Sequence, residues 1–348
     1  MIYDLAKAFL FQMDAEKAHY FVMKRLNTLT SFSPFYNAIR KYHEVDAKPV
    51  NFVGINFPNR IGMAAGFDKN AQYLHALSSL GFGHIETGTV TPLPQPGNEK
   101  PRLFRLPQDE ALINRMGFNN QGADLANARI LKFKEKNTKL IIGGNIGKNK
   151  DTPNENAADD YLKCFKTLYD AVDYFTVNVS SPNTANLRML QEKESLLQIL
   201  NTLQHQKKEY TDKGKASKPI LLKIAPDLTF SQVDEIIEVV LESKIDGLIA
   251  TNTTIDRSNL KSSQKTIKNI GNGGLSGKPL TQKSTEILAY IHKNSNGKIP
   301  MIASGGIMSG EDAKIKMDAG ASLVQIYSGF IYKGTGLVKE INKSISSL

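Results

Sequence analysis

From Ile61 onward the chain repeats one rhythm, a short apolar run followed by a longer stretch in which apolar residues return every three or four positions. The apolar runs are Ile61–Gly66, His84–Val90, Leu140–Gly147, Phe175–Val179, Pro219–Pro226, Gly247–Thr254, Ile299–Gly306 and Leu323–Gly329. They are rich in β-branched and aromatic residues and continuous rather than alternating, as strands buried on both faces are. Helical periodicity fills Ala71–Leu80, Asp151–Ala171, Glu192–Gln206, Ser231–Ser243, Leu280–Lys293 and Gly310–Ala319. Between the second and third runs the pattern gives instead a long loop rich in proline. Eight such strands alternating with helices predict an α/β fold, a (β/α)8 TIM barrel, over residues 49–348. There is no sign of a second core.

Residues 1–48 stand apart. Ile2–Thr30 reads as two short amphipathic helices, the first carrying Leu5, Phe9 and Leu10, the second Ala18, Phe21, Val22, Leu26 and Leu29, with Asp14 as its N-cap. Lys7, Lys17, His19, Lys24 and Arg25 decorate the pair, and a connection around Lys48-Pro49 follows. The pattern fits a helical lid and a membrane-surface module equally well.

Each apolar run breaks into small, amide or cationic groups. The fourth is the clearest case: Asn178-Val179-Ser180-Ser181-Pro182-Asn183. Pro182 cannot donate to a ladder and forces Ser181 toward an extended conformation, so the strand must stop there. A turn needs one Asn or Ser, not four in six positions. Lys69, Thr89, Asn145, Lys223, Thr251, Asn252, Gly306 and Ser328 end the other runs. A barrel gathers such ends at one mouth, where its chemistry sits. Ser304-Gly305-Gly306 and Tyr327-Ser328-Gly329 follow strands seven and eight, where barrels bind phosphate through backbone N–H groups, and Gly273-Gly274-Leu275-Ser276-Gly277 offers a further close approach. Lys69 and Lys223 either snorkel to the rim or face a ligand that brings negative charge, because the ring offers no carboxylate beyond Asp68 and Asp227. The asparagines suit a planar ligand with alternating N–H and C=O edges.

Composition narrows the chemistry. The chain has 348 residues, 41% hydrophobic and 22% charged, which are ordinary globular values. Its one cysteine, Cys164, excludes an internal disulfide and any cysteine-based zinc or iron–sulfur site. Six histidines are scattered with no metal-ligand spacing, so no metal site is expected. No run reaches a membrane span, and no secretory segment opens the chain. A net charge of +10 suits an anionic substrate, an anionic lipid surface or nucleic acid, and equally a lysine-rich surface with no partner. A phosphate cradle and cationic strand ends without a metal point to an organic cofactor.

These residues resemble the quinone-dependent (class 2) dihydroorotate dehydrogenases, flavoenzymes of pyrimidine biosynthesis. The likeness runs from Phe11 to the C-terminus. It is strongest in Ala64-Ala65-Gly66-Phe67-Asp68-Lys69, Ile113-Asn114-Arg115-Met116-Gly117-Phe118-Asn119-Asn120, Asn178-Val179-Ser180-Ser181-Pro182-Asn183-Thr184 and Lys223-Ile224-Ala225-Pro226-Asp227-Leu228. The resemblance implies FMN as cofactor, dihydroorotate as substrate and a membrane quinone as electron acceptor. Ser181 would be the base. Lys69, Asn114, Asn178, Asn183, Asn252 and Thr253 would bind substrate, beneath a closing loop of Asn114, Arg115, Met116, Gly117 and Phe118. Ala65, Gly66, Phe67, Asp68, Lys69, Thr89, Asn145, Asn178, Lys223, Thr251, Gly277, Gly306, Tyr327 and Ser328 would line FMN. Thr184 and Phe118 would mark the proton path, and His19 and Arg105 would lie near the quinone in a tunnel built by the N-terminal helices. The implied protein is a monomer, peripheral on the cytoplasmic face of the cell membrane.

Three rivals fit less well. A tRNA dihydrouridine synthase needs a catalytic cysteine on a barrel loop, whereas Cys164 falls on a helix. A soluble dehydrogenase leaves residues 1–30 without a purpose. A barrel that only binds a phosphorylated ligand does not need the ring of Ser181, Lys69 and asparagines.

Overall fold

The computed structural model describes residues 2–136, 139–184 and 186–346. Eight parallel strands close into a barrel: Ile61–Met63, His84–Val90, Ile141–Ile146, Tyr174–Asn178, Ile220–Ile224, Gly247–Ala250, Met301–Ser304 and Leu323–Ile326. They are called strands one to eight below. Strand one pairs with strand two through Gly62↔His84 and with strand eight through Gly62↔Gln325, which closes the ring. Each strand is buried nearly throughout, as the unbroken apolar runs predict. The helices between them bear their apolar stripes inward. Phe230–Ser243, for example, starts from a capping box made by Thr229 and Gln232 and buries Val233, Ile236, Ile237 and Val240.

The structure adds elements that the periodicity did not reveal. A hairpin, Val50–Phe52 with Ile55–Phe57, stoppers the amino end of the barrel, where Phe52 and Phe57 pack on Tyr174, Leu221, Ile249, Ile302 and Leu323 from five strands. The supposed loop between strands two and three holds the helix Ala123–Lys134 and two strands, Leu103–Leu106 and Ala111–Asn114. With Gly274–Gly277 these form an antiparallel three-stranded sheet that carries Asn114 toward the barrel mouth.

The appendage has three helices rather than two: α1, Ile2–Leu10; α2, Ala15–Thr30; and α3, Ser33–His43. Asp14 caps α2 as expected, its carboxylate accepting from Lys17 N at 2.9 Å. Pro34 sits in the first turn of α3, where its missing N–H costs nothing, and Tyr36 stacks on His75 at 4.6 Å. The three helices dock on the barrel through Met23, Leu26 and Ile39, which pack on its core, and through one buried ion pair. Arg102 grips Glu16 of α2 with two hydrogen bonds of 2.8 and 3.0 Å. Outward, α1–α3 and their joints expose Leu5, Phe9, Phe21, Val22, Leu29, Phe32 and Phe35. No described helix is long and apolar enough to cross a membrane.

Candidate active site

The strand ends do converge. At the carboxyl mouth of the barrel lies a cleft open to solvent. Its wall includes Ala65, Gly66, Lys69 and Thr89 from the first two strand ends, Asn178, Ser181 and Asn183 from the fourth, and Lys223, Thr251, Asn252 and Thr253 from the fifth and sixth. Gly277, Gly306, Tyr327 and Ser328 line the opposite side, and Asn114, Met116, Gly117 and Phe118 lie across the top.

The asparagines form one hydrogen-bonded group. Asn178 Nδ2 donates to Thr89 Oγ1 at 2.8 Å, and Thr89 in turn donates to Asn145 Oδ1 at 2.5 Å. Asn252 Nδ2 donates to Ser180 Oγ at 3.0 Å. Asn183 Nδ2 donates to Asn114 Oδ1 at 2.9 Å, which ties the strand-four turn to the covering sheet. Asn178 and Asn252 are held at both edges, Asn178 Oδ1 accepting from Asn252 Nδ2 at 3.3 Å and Asn252 Oδ1 from Thr253 N at 2.8 Å, which fixes the orientation of each carboxamide. Ser181 is buried, and its Oγ accepts from Asn183 N at 3.3 Å. Among the described residues no histidine or carboxylate is hydrogen-bonded to it.

Four expected residues lie outside this cleft. Asn145 sits beneath it, bonded to Thr89 and Glu86. Phe67 and Asp68 turn to a second, smaller chamber, and the Asp68 carboxylate accepts from Gln72 N and Tyr73 N. Arg115 points away, over the Phe104 ring and onto the Ile270 carbonyl.

The barrel centre corrects the expectation that no carboxylate beyond Asp68 and Asp227 faces the lysines. Glu86, fully buried on strand two, lies 3.7 Å from Lys223 Nζ and accepts from Asn145 Nδ2 at 2.7 Å and Gln325 Nε2 at 2.9 Å. Asp227 instead pairs with Arg188 at 2.8 Å. The signal for Glu86 was present in the sequence: a carboxylate in a run of buried strand residues has to be paired. Among the described residues no carboxylate lies within ion-pair distance of Lys69, and Glu16 acts on it only from farther off. Burial, aided by the positive charge of Arg102, pushes its ammonium down to about 8.

The second chamber is lined by Glu16, His19 and Tyr20 of α2 and by Phe67, Asp68, Tyr73, Leu103 and Met116. His19 stands edge-on to Phe67 at 4.8 Å, and burial together with Lys69 lowers its pKa to about 4, so it is neutral at pH 7. Arg105 lines neither space. It donates to the Met13 carbonyl at 2.7 Å and lies over Phe11 at 4.6 Å, which pins the joint between α1 and α2.

Residues 48–348 match the family model described as Dihydroorotate dehydrogenase. The chain is 52% identical over 347 residues to the dihydroorotate dehydrogenase (quinone) of Christiangramia forsetii, covering 99% of this chain and 98% of that one. It is 48% identical to the enzyme of the same description in Acinetobacter baylyi, over 99% of this chain and all of the relative. The chain belongs to the quinone-dependent dihydroorotate dehydrogenase family. Among solved structures, DHODH from Eimeria tenella in complex with ferulenol superposes with a TM-score of 0.82 at 37% identity, covering 95% of this chain and 90% of that one. Members of this family are oxidoreductases of pyrimidine biosynthesis that oxidise dihydroorotate, with FMN as their cofactor and a quinone as co-substrate.

The cleft fits a flavin nucleotide on its own terms. Gln325 Oε1 is buried at its floor with no protein partner, and the backbone N–H groups of Gly306 and Ile307 at its wall donate to no described residue. Lys223 and Lys69 add cationic charge, and the lining side chains include no carboxylate. Such a donor set is made for an anionic, hydrogen-bond-accepting ligand.

Proposed function

We propose that dihydroorotate binds at the carboxyl mouth of the barrel and is oxidised there with Ser181 as the base. The observation that carries this reading is the gathering of Ser181, Lys69 and four asparagines around one cleft with a cationic floor. Lys69 pairs with the substrate carboxylate, and Asn114, Asn178, Asn183 and Asn252 meet its ring amides and fix C5 and C6 in place. Thr253 and the segment Arg115 to Phe118 close over the site, with Arg115 acting through its hold on Ile270. Ser181 Oγ takes the proton from C5. Bound FMN would supply the hydride acceptor for C6 and the carrier that passes electrons on to the quinone. Ala65, Gly66, Thr89, Lys223, Thr251, Gly277, Gly306, Tyr327 and Ser328 hold the cofactor, with Asn145, Phe67 and Asp68 supporting that wall from behind. Lys223 supplies a fixed positive charge where negative charge develops.

The second chamber is the proposed quinone site, reached between helices whose exposed faces combine apolar residues with Lys7, Lys17, Lys24 and Arg25. That surface suits a peripheral position on anionic lipid at the cytoplasmic face of the membrane. The protein acts there as a monomer, residues 2–48 serving as the membrane and quinone module of the barrel. His19 lines the chamber as a neutral imidazole, and Arg105 holds the joint beside it.

The test is to add dihydroorotate anaerobically and follow the loss of the oxidised flavin's visible absorption, then restore it with a quinone. A protein that purifies without flavin, or whose flavin stays oxidised, overturns the reading. Glu86→Gln probes the same floor. It leaves Lys223 without its counter-charge and should make the flavin potential more positive by roughly 20–60 mV, about 1–3 kcal/mol for a two-electron couple. Redox titration against indicator dyes reads the shift, and an unchanged or more negative potential would remove Glu86 from the electrostatics of the cofactor.

A further inference from the structure

Lys316 lies outside the cleft and outside every role assigned above. It is one of the largest fully buried side chains in the protein, 1% exposed, on the helix Gly310–Asp318 that leads to strand eight. Among the described residues no carboxylate lies within ion-pair distance. Its Nζ donates instead to three oxygens of the neighbouring helix Thr281–Asn294: Ser284 Oγ at 2.6 Å, Thr285 Oγ1 at 2.6 Å and the Thr281 carbonyl at 2.9 Å. Burial opposes the charge, with Asp312 acting in the other direction, and brings the ammonium down to about 7. A methionine would fill such a position with no desolvation cost, so the lysine needs a reason.

The partners of Lys316 supply one. Ser284 Oγ lies 2.9 Å from the Gly305 carbonyl and 2.7 Å from the Leu280 carbonyl, so its one proton is shared between them, and Thr281 Oγ1 donates to the Gly306 carbonyl at 2.6 Å. Both glycines have positive φ, 107° and 72°, and are pressed onto this same helix start. A Cβ on Gly306 would come within 2.3 Å of Thr281 Cα. In a trans peptide the C=O and the following N–H point in opposite directions. Holding the Gly305 and Gly306 carbonyls against the helix therefore turns the N–H groups of Gly306 and Ile307 the other way. Both residues line the cleft, and neither N–H donates to a described protein acceptor.

We infer that Lys316 is a positioning residue for phosphate binding: through Ser284 and Thr281 it locks two glycine peptides with their N–H groups facing the phosphate of the flavin nucleotide. This rests on the reading of the cleft as the FMN site. The ammonium polarises the Ser284 hydroxyl as that hydroxyl donates to Gly305, so the charge reaches the loop along a chain of two hydrogen bonds. Removing it frees the peptides to rotate, and it weakens only those contacts that a phosphate makes.

The experiment compares the parent holoenzyme with Lys316→Met and Ser284→Ala. Each is diluted, and flavin release is read from the recovery of flavin fluorescence. The flavin-depleted protein is then reloaded with FMN or with riboflavin, which carries the same ring without the phosphate. The expected result is FMN affinity lowered by about 10- to 100-fold in Lys316→Met, the span of one or two hydrogen bonds to a charged group, with riboflavin affinity unchanged. Ser284→Ala, which keeps the lysine, should move in the same direction, and it carries the test if Lys316→Met does not fold. Unchanged FMN affinity, or an equal loss for both flavins, overturns the positioning role. A parent protein that takes up neither flavin overturns the cofactor reading as well.

Discussion

Ser181→Ala slows flavin reduction by dihydroorotate by about 10²–10⁴-fold, the span of general-base loss, while the flavin content of the purified protein stays at the parent level. A serine hydroxyl is a weak base at neutral pH, and the structure gives Ser181 no charged partner to strengthen it. Its Oγ accepts one hydrogen bond, from Asn183 N, and the proton it receives must leave by another route. Three residues on, Thr184 Oγ1 is buried with no partner among the described residues. The rate should therefore rise with pH across the neutral range. In Ser181→Cys, whose thiol ordinarily titrates near 8.5, the rise should begin at lower pH. Anaerobic stopped-flow absorption measures both effects. Equal reduction rates in Ser181→Ala and the parent would take the serine out of the chemistry.

Glu16→Ala costs about 3–5 kcal/mol of stability, the usual effect of removing one member of a buried ion pair, and lowers the melting temperature by roughly 5–10 °C. Glu16 and Arg102 are 5% and 6% exposed, so the guanidinium left behind keeps the Pro96 and Asn98 carbonyls but loses the counter-charge that Glu16 holds at 2.8 Å. Burial alone would raise the Glu16 pKa. The hydrogen bonds and charge of Arg102, helped by Lys100, outweigh it and hold the carboxyl below its ordinary 4.5. A depressed folded-state pKa contributes stability that is fully present above the unfolded value and is lost as pH falls. The gap between parent and Glu16→Ala should accordingly be constant from pH 7 to about 5 and narrow below about 4.5. Calorimetry or thermal circular dichroism across that window decides it, and a gap that grows on acidification would contradict the assignment.

What could be read in advance followed from periodicity and from strand ends. All eight barrel strands were visible because burial on both faces leaves an unbroken apolar run. His84–Val90 was delimited to the residue because Gly83 and Pro92 flank it. The hairpin before the barrel was missed although it has a signature, Val50-Asn51-Phe52 and Ile55-Asn56-Phe57 around a two-residue turn. Its turn residues Val53 and Gly54 both have positive φ, and a β-branched residue is an unexpected occupant of that conformation. The covering sheet was illegible for a different reason. Leu103–Leu106 pairs locally with Ala111–Asn114, but the third strand joins across 160 positions of sequence, Asn114 with Gly274, and no local pattern encodes such a partner. Glu86 was read as part of a strand rather than as a site residue because a single charge inside an apolar run gives no hint of which lysine it will meet.

Gly66, Lys69, Met116 and Tyr327 border both the large cleft and the smaller chamber under α2, so the partition between them is a single layer of residues. Occupancy on one side that moves the Lys69 ammonium or the Tyr327 ring must be felt on the other, and thermodynamic reciprocity makes the influence equal in both directions. An inhibitor lodged beneath α2 is then a modulator of the opposite compartment as well as an obstruction in its own.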